Sequence, residues 1–450
     1  MQFELTEEYL DSLIQAVNAR KNSWIREQLD ELHPQDISSV IHELEPGHSK
    51  YVIHLLEDET GAQVIRELDP EYRKKLFKEF TPDEIGKYIG YIDSDDAVDI
   101  INELPVKEKE EVISLVDNKE KADHIRDLIH YDEDCAGGLM AKELIRANLN
   151  WTVTQCIEEI RRQSKNVSRI YSVYVVDNLD KLLGIVSLKK MLLAEDDTLI
   201  ADIYEPEIIS VETYISAEEV SQIMEKYDLE AIPVVNVHGK LLGRITIDDV
   251  VDVIKERAEQ DIQMMAGISG PAEDDDSVWN LSKVRLPWLV IGMTGGMLGA
   301  RFIGLFEKDI SMIPAMAFFI PLITATGGNV GIQTSSVVVQ SLARESGYGA
   351  FNFSSFLKVL VVAIINGVAL SSIVFGLNMI LGEDMKLAVV VSTALMSVVL
   401  LATAMGTITP LVLDKLGYNP ALAAGPFITT ANDLLGLAIY FLVAQSLYHL

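Results

Sequence analysis

The sequence predicts a multidomain chain: an acidic α-helical superhelix, a tandem pair of small α/β domains, a connecting helix and a five-helix α transmembrane domain. Three observations carry this. At 450 residues the chain exceeds what one compact domain usually holds. Its charge is sharply divided, with residues 281–450 carrying net +1 and residues 1–280 net −32. The weakly charged part breaks into apolar runs of roughly 20 residues or more, the length a bilayer core demands.

Residues 1–130 read as short amphipathic helices. The phrases LHPQDISSVIHELEP, LEDETGAQVIRELDPE and IDSDDAVDIINELP share an acidic start, an apolar pair and a Pro that stops the helix. Units this short cannot bury an apolar face alone, so neighbours must stack into a superhelix. Acids cluster at Asp93, Asp95, Asp96 and Asp99, which taken alone read as caps and a solvated helix face. So acidic a half repels nucleic acid and anionic headgroups and attracts cations. Cys135 and Cys156 form no disulfide framework or metal pattern, which suits a reducing cytoplasm. The N-terminus MQFELTEEYLDSL has no cationic stretch followed by an apolar core, so no cleaved signal is expected.

From residue 131 the pattern changes. Residues 131–203 contain VTQCIEEIRRQ, IYSVYVVD, the turn NLDKL, the strand LGIVS and LKKMLLAE. Residues 204–258 repeat that order with SAEEVSQIMEKYD, AIPVVN, VHGKL, LGRIT and IDDVVDVIKERA. Two β-α-β-β-α units in tandem resemble a pair of cystathionine-β-synthase (CBS) domains, which are ligand-sensing modules that often bind adenosine nucleotides. The resemblance puts Thr246 and Asp248 near the family's ribose-contacting Thr/Ser-x-x-Asp, although the spacing Thr-Ile-Asp-Asp favours Asp249. In the first copy Ser187 is followed by Lys189 and Lys190 and lacks the acid, so regulatory ATP binding is an open expectation.

Residues 247–268 keep helical periodicity past the second unit. Val250, Val253, Ile254, Ala258, Ile262 and Met265 form a stripe, with Asp249, Asp252, Glu256, Glu259 and Asp261 along an acidic side. Such a helix can transmit a push from sensor to membrane or act as a rigid spacer. Residues 269–280, SGPAEDDDSVWN, read as a polar linker.

Residues 281–450 hold five expected spans, at about 284–306, 312–341, 356–381, 387–413 and 420–447. Lys283, Arg285, Arg344, Lys358 and Lys415 flank one side, whereas the opposite connections are balanced or acidic. The positive-inside rule then places the N-terminal domains in the cytoplasm and the C-terminus outside. In the second span TGGNVGIQ brings glycines together with Asn329 and Gln333. Small residues suit helix packing, but that leaves the two amides unexplained. The fifth span carries Asp433 near its middle, behind Gly425-Pro426 and Thr429-Thr430. An ionised carboxylate in hydrocarbon costs about 3 kcal/mol even on lenient scales, so Asp433 should face a wet or protein-lined path. No Lys or Arg lies at comparable depth unless Arg301 reaches it, which makes a cation from solution the better partner. Two chains about a two-fold axis would oppose two Asp433 side chains, with carbonyls and hydroxyls near Gly425, Thr429 and Thr430 as lining. Mg²⁺ keeps several waters and is held by one or two carboxylates, so it suits such a site. Soft metals would ask for Cys or His, and this half has only His449.

TGGNVGIQ, NPALAAGPFITTANDLLGLAIYF, the tandem CBS pair, the acidic helical domain and the connecting helix together resemble the MgtE family of Mg²⁺ channels/transporters. The resemblance implies a homodimer in the lipid of the plasma membrane, with a central pore. It implies that Asp433 holds hydrated Mg²⁺ with the backbone near Thr429, and that Asn329 lines the path. The helix 247–268 would be the family's plug helix, closed by cytosolic Mg²⁺ bound among the acids of the N-domain, CBS pair and helix. Asp228 and Asp249 match regulatory ligands, with Asp96 (or Asp95 and Asp99) and Asp261 as further candidates, beside Asp252, Glu256 and Glu259 on the same acidic side. Gln260 stands where relatives can carry an acid, and Gly425 replaces a polar side chain found in some of them, so that level of the pore would rely on backbone. Two other readings compete: a CBS-regulated transporter of another divalent cation such as Mn²⁺ or Co²⁺, and a membrane-anchored Mg²⁺ or nucleotide sensor without transport. The chain has no nucleophile elbow, P-loop or zinc-ligand spacing, so no enzyme is expected.

Overall fold

The computed structural model describes residues 3–164, 169–270, 272, 277–344 and 353–448. They fall into two compact units, Met1–Ile254 and Lys255–Leu450. The first begins with ten helices between Glu7 and Leu128, each of 8 to 12 residues. Pro34, Pro46, Pro70 and Pro82 each occupy a first helical turn, where their missing N–H costs nothing. Thr81 and Glu84 close a capping box on the helix Pro82–Ile89. Packing follows a skip-one rule: Pro34–His42 lies on Asp58–Glu67, that helix on Pro82–Ile89, and that one on Val106–Ser114. This is the stacked superhelix that short amphipathic units require.

Two three-stranded sheets follow. The first is β1 (Ile145–Asn148), β2 (Val173–Val176) and β3 (Leu182–Val186); the second is β4 (Val211–Glu212), β5 (Ala231–Val235) and β6 (Leu241–Thr246). In each, the first strand runs parallel to the second and the second antiparallel to the third. Parallel pairing needs a crossover helix, which Val153–Gln163 and Ala217–Tyr227 supply. The units meet edge to edge, Leu182 N donating to Gly239 O (2.9 Å) and Leu241 N to Asp180 O (3.0 Å). The first has its own core of Ile145, Val153, Val173, Val186 and Ile200. The second shares a core with the helical domain, through Val220, Ile232, Val234, Ile245 and Val250. A buried clasp ties the helical domain to the segment just before β1: Glu143 accepts from Ser94 N (3.0 Å), Ser94 Oγ (2.7 Å) and Lys121 Nζ (2.7 Å).

The connecting helix, Ile247–Met265, is continuous across the boundary between the units. The second unit then holds five long helices: Val278–Leu305, Met316–Arg344, Phe353–Leu381, Met385–Lys415 and Pro426–Tyr448. A short helix, Glu307–Met312, separates the first two, and a 3-10 turn, Pro420–Ala423, opens the last. The expected linker 269–280 is shorter than the sequence suggests. Residues 271 and 273–276 lie outside the described residues, and Ser277 already caps the first long helix by accepting from Asn280 N (3.2 Å). Among the described residues, four helices are long and apolar enough to cross a membrane. The second long helix has 29 residues but is not one of those four; Gly327, Gly328, Asn329, Gln333 and several hydroxyls make it more polar. It packs on the fourth and fifth helices, which form the core of this unit around Val391, Leu395, Tyr440 and Phe441. Phe306 stacks on Phe441 with ring centroids 4.3 Å apart, and Tyr440 OH donates to Met316 O (2.9 Å).

Candidate cation path and regulatory acid cluster

Pro426 sits in the first turn of the fifth long helix, and Asn419 caps the preceding 3-10 turn by accepting from Ala421 N (2.8 Å). One turn on lie Thr429 and Thr430, and one further turn brings Asp433. A helix tolerates this run because its small side chains let the second long helix approach. A Cβ built on Gly328 would lie 3.2 Å from Thr429 Cγ2 and 3.7 Å from Asp433 Oδ1. Gly328, Thr429 and Asp433 therefore form one surface. Asp433 is partly exposed and, among the described residues, has no Lys, Arg or His nitrogen at ion-pair distance. Arg301 instead lines an apolar cavity of about 820 Å³ with Phe302, Leu434 and Leu435. Asn329 and Gln333 share an exposed face of the second long helix, next to the Gly328 contact.

Gly425 is buried, and not beside Asp433. A Cβ there would lie 3.2 Å from Met264 O and 3.3 Å from Met265 O, the terminal carbonyls of the connecting helix. Close by, Asn419 Nδ2 donates to Asp261 Oδ1 (2.8 Å). Asp261 thus serves as an anchor to the 3-10 turn, a tie across 158 positions that the sequence pattern did not signal. Glu256 accepts from Gln260 Nε2 (3.1 Å) on its own helix, and Glu259 is exposed.

The acids of the first unit gather at the helix Ser94–Asn102 and the start of the connecting helix. Burial, then the charges of Asp96, Asp249, Asp93 and Glu143, pushes Asp95 well above the usual carboxylate range. Burial raises Asp96 to about 6 against the pull of Arg66, with Asp93, Glu67 and Asp248 adding to it. Asp249 reaches about 6, again through burial first, although Thr246 hydrogen bonds favour its ionised form. Desolvation by the surrounding protein, then the charges of Asp96 and Glu133, raises Asp99 to about 7, although its side chain reaches solvent. Among the described residues no three such side chains converge tightly enough to hold a metal unaided. The arrangement is a set of mutually repelling carboxylates on facing elements, whose hard oxygen donors suit Mg²⁺. Asp228 lies apart, exposed, as the left-handed C-cap of Ala217–Tyr227 (φ 52°).

Thr246 and Asp249 form a pair: Asp249 Oδ2 accepts from Thr246 N (2.8 Å) and Oγ1 (2.7 Å). The buried Thr246 hydroxyl is therefore committed to its own chain, whereas Asp248 opens onto a cavity of about 610 Å³. Arg169, Tyr171, Glu230, Ile247, Val251 and Asp252 complete that lining. Arg244 stands behind it, buried, with its guanidinium 5.0 Å over the Tyr171 ring, donating to Arg169 O (2.9 Å) and lying 4.0 Å from Asp93. Sequence reading missed Arg244, because its partners come from two segments distant from it, 169–171 and the helix start at Asp93.

An acidic half with two CBS-like units and an apolar helical half, whose Asp433 lacks a cationic partner among the described residues, fit a membrane cation-transport protein. Comparisons agree in each part. The chain matches the models of the divalent cation transporter family over residues 320–443, the MgtE intracellular N domain over 32–134, and the CBS domain over 136–197 and 200–256. It is similar to the magnesium transporter MgtE of Enterococcus faecalis, 36% identical over 72% of each chain, and to that of Thermus thermophilus, 34% identical over 74% of each. Among solved structures it is similar to the soluble part of a magnesium transporter, with TM-score 0.52 and 30% identity, covering 56% of this chain and 99% of that one. It is likewise similar to the cytosolic domain of the Mg²⁺ channel MgtE in complex with ATP, with TM-score 0.51 and 31% identity, covering 54% and 99%. The chain belongs to the MgtE family of magnesium transporters. It is a membrane transporter with cytosolic N-terminal domains, and not an enzyme.

Proposed function

We propose that the protein is a homodimeric, Mg²⁺-selective channel of the plasma membrane that cytosolic Mg²⁺ closes, with its C-terminus outside. The observation that carries this is Asp433: a carboxylate in an apolar helix, against Gly328 and beside Thr429, without a cationic partner among the described residues. Two such carboxylates, one from each chain, would hold a partly hydrated Mg²⁺ through its waters, with Asn329 contributing to the wall of the path. Gly425 would act at the mouth, where the connecting helix ends, and its contribution there is backbone rather than side chain.

Closure follows from charge. Each pair of like charges held a few ångströms apart repels by about 1–4 kcal/mol at effective dielectrics of 80 to 20. Mg²⁺ among Asp95, Asp96, Asp99 and Asp249 would replace that repulsion with bridging and hold the helical domain against the second CBS unit, with which it shares a core. Asp252, Glu256, Glu259 and Asp261 would extend the same acidic field along the connecting helix, and Asp228, at the C-terminal end of Ala217–Tyr227, would be a further, separate acidic site. The cavity at Asp248 and Tyr171 suits an adenosine nucleotide, with Tyr171 as a stacking face; a relative's cytosolic domain was solved with ATP. The test is ²⁸Mg²⁺ uptake into proteoliposomes. Asp433→Ala should abolish uptake while the dimer persists, and full uptake in that variant would remove the pore assignment. Competition by Mn²⁺ or Co²⁺ at equal affinity would favour the reading as a transporter of another divalent ion.

A further inference from the structure

One residue beside Asp433 is a different kind of anomaly. Asn432 is 2% exposed, and neither its amide nitrogen nor its amide oxygen has a hydrogen-bond partner among the described residues. An unpaired carboxamide in a helix interior is costly, and a leucine of similar size would avoid the cost. The side chain lies on the second long helix at a place only glycine permits: a Cβ on Gly331 would fall 1.9 Å from Asn432 Nδ2 and 3.2 Å from its Cγ. The fourth long helix closes the same point, since a Cβ on Gly406 would fall 2.6 Å from Gly331 O and 3.2 Å from Ser335 N. Ser335 is itself fully buried, and its hydroxyl lacks a partner among the described residues.

The contact matters because of what it neighbours. The same two helices that meet at Gly331 and Asn432 meet one turn earlier at Gly328, under Thr429 and Asp433. Seating Asn432 on Gly331 fixes the rotation and height of the fifth helix, and with them the position of the carboxylate. A site that holds an ion through its waters discriminates by spacing, and tolerates only a fraction of an ångström of error.

We propose that Asn432, seated on Gly331 where three helices meet, is a positioning residue that sets the place of Asp433 and so the affinity and selectivity for Mg²⁺. The inference rests on the reading of Asp433 as the cation ligand.

The experiment is a double-mutant cycle on the full-length protein in proteoliposomes, read as half-saturating Mg²⁺, maximal uptake, and preference for Mg²⁺ over Ca²⁺ and Mn²⁺. Asn432→Ala and Gly331→Ala should each raise half-saturating Mg²⁺ about 10-fold, as loss of an orienting partner does at metal sites, and narrow the preference. The double variant should be no worse than Asn432→Ala alone, because the methyl group introduced by Gly331→Ala then meets no carboxamide. A purely structural role would lower maximal uptake with the amount of folded protein and leave half-saturation and preference unmoved; that result overturns the proposal, as does simple additivity. If Gly331→Ala does not fold, the shift or its absence in Asn432→Ala decides alone. Asp433→Ala in the same vesicles separates the two readings. Uptake surviving there defeats the pore assignment, whereas uptake lost there with an unshifted Asn432→Ala defeats only this inference.

Discussion

Replacing Asp249 by Asn tests whether the acid cluster is held against its own repulsion. Asn keeps an oxygen that can accept from Thr246 N and Oγ1, so the cap on the connecting helix survives and only the charge is removed. Burial lifts the Asp249 carboxyl from 3.8 to about 6, and one unit corresponds to about 1.4 kcal/mol, so carrying this charge unpaired costs the folded domain at most about 3 kcal/mol above neutral pH. The sign follows from linkage. A raised folded-state value means the folded protein takes up the proton first, so stability rises as pH falls from about 7 towards 4, and the cost is full above 7. At roughly 2–4 °C per kcal/mol for a unit of this size, the ceiling on the melting shift is about 6–12 °C. In EDTA at about pH 7.5, above the window in which the carboxyl titrates, Asp249→Asn should therefore melt several degrees above wild type. Its added stabilisation by millimolar Mg²⁺ should shrink, and the gain wild type shows on acidification to about pH 5.5 should be reduced. A variant that melts at or below wild type in EDTA, with its Mg²⁺ shift intact, refutes the reasoning.

Two further outcomes are expected. Lys121→Met leaves Glu143, whose side chain is 5% exposed, without its cation, and should cost about 3–5 kcal/mol in urea unfolding of the full-length protein; adding Glu143→Gln should recover most of it, and a loss under about 1 kcal/mol would show that the clasp is not buried in solution. Tyr171→Ala should weaken ATP binding about tenfold by calorimetry, the scale of one lost base-stacking contact, and unchanged affinity would place nucleotide elsewhere.

Much of this architecture was written in local pattern. The Glu-Leu-Pro phrases, the recurring strand-turn-strand steps and the long apolar runs each encode an element without reference to anything distant, and each appears in the structure. Asp433 stands out in the sequence for the same reason, since a lone carboxylate in an apolar run is a local anomaly. Its neighbour Asn432 was not, because an amide in such a run looks unremarkable until Gly331 is seen beneath it. The Asp261 tie to Asn419 and the contacts of Arg244 with Tyr171 and Asp93 join segments far apart in sequence, where periodicity carries no signal. Gly425 shows the same limit: its contact with the carbonyls of Met264 and Met265 depends on where the connecting helix ends, which no local pattern encodes.

The most direct test of a Mg²⁺-gated Mg²⁺ channel is the unitary current of the full-length protein in a planar bilayer, with Mg²⁺ as the only permeant cation. Raising Mg²⁺ on the side bearing the N-terminal domains should close the channel, and Asp433→Ala should show no current at any Mg²⁺ level. Mg²⁺ flux without unitary currents, or currents indifferent to Mg²⁺ on that side, would contradict the account.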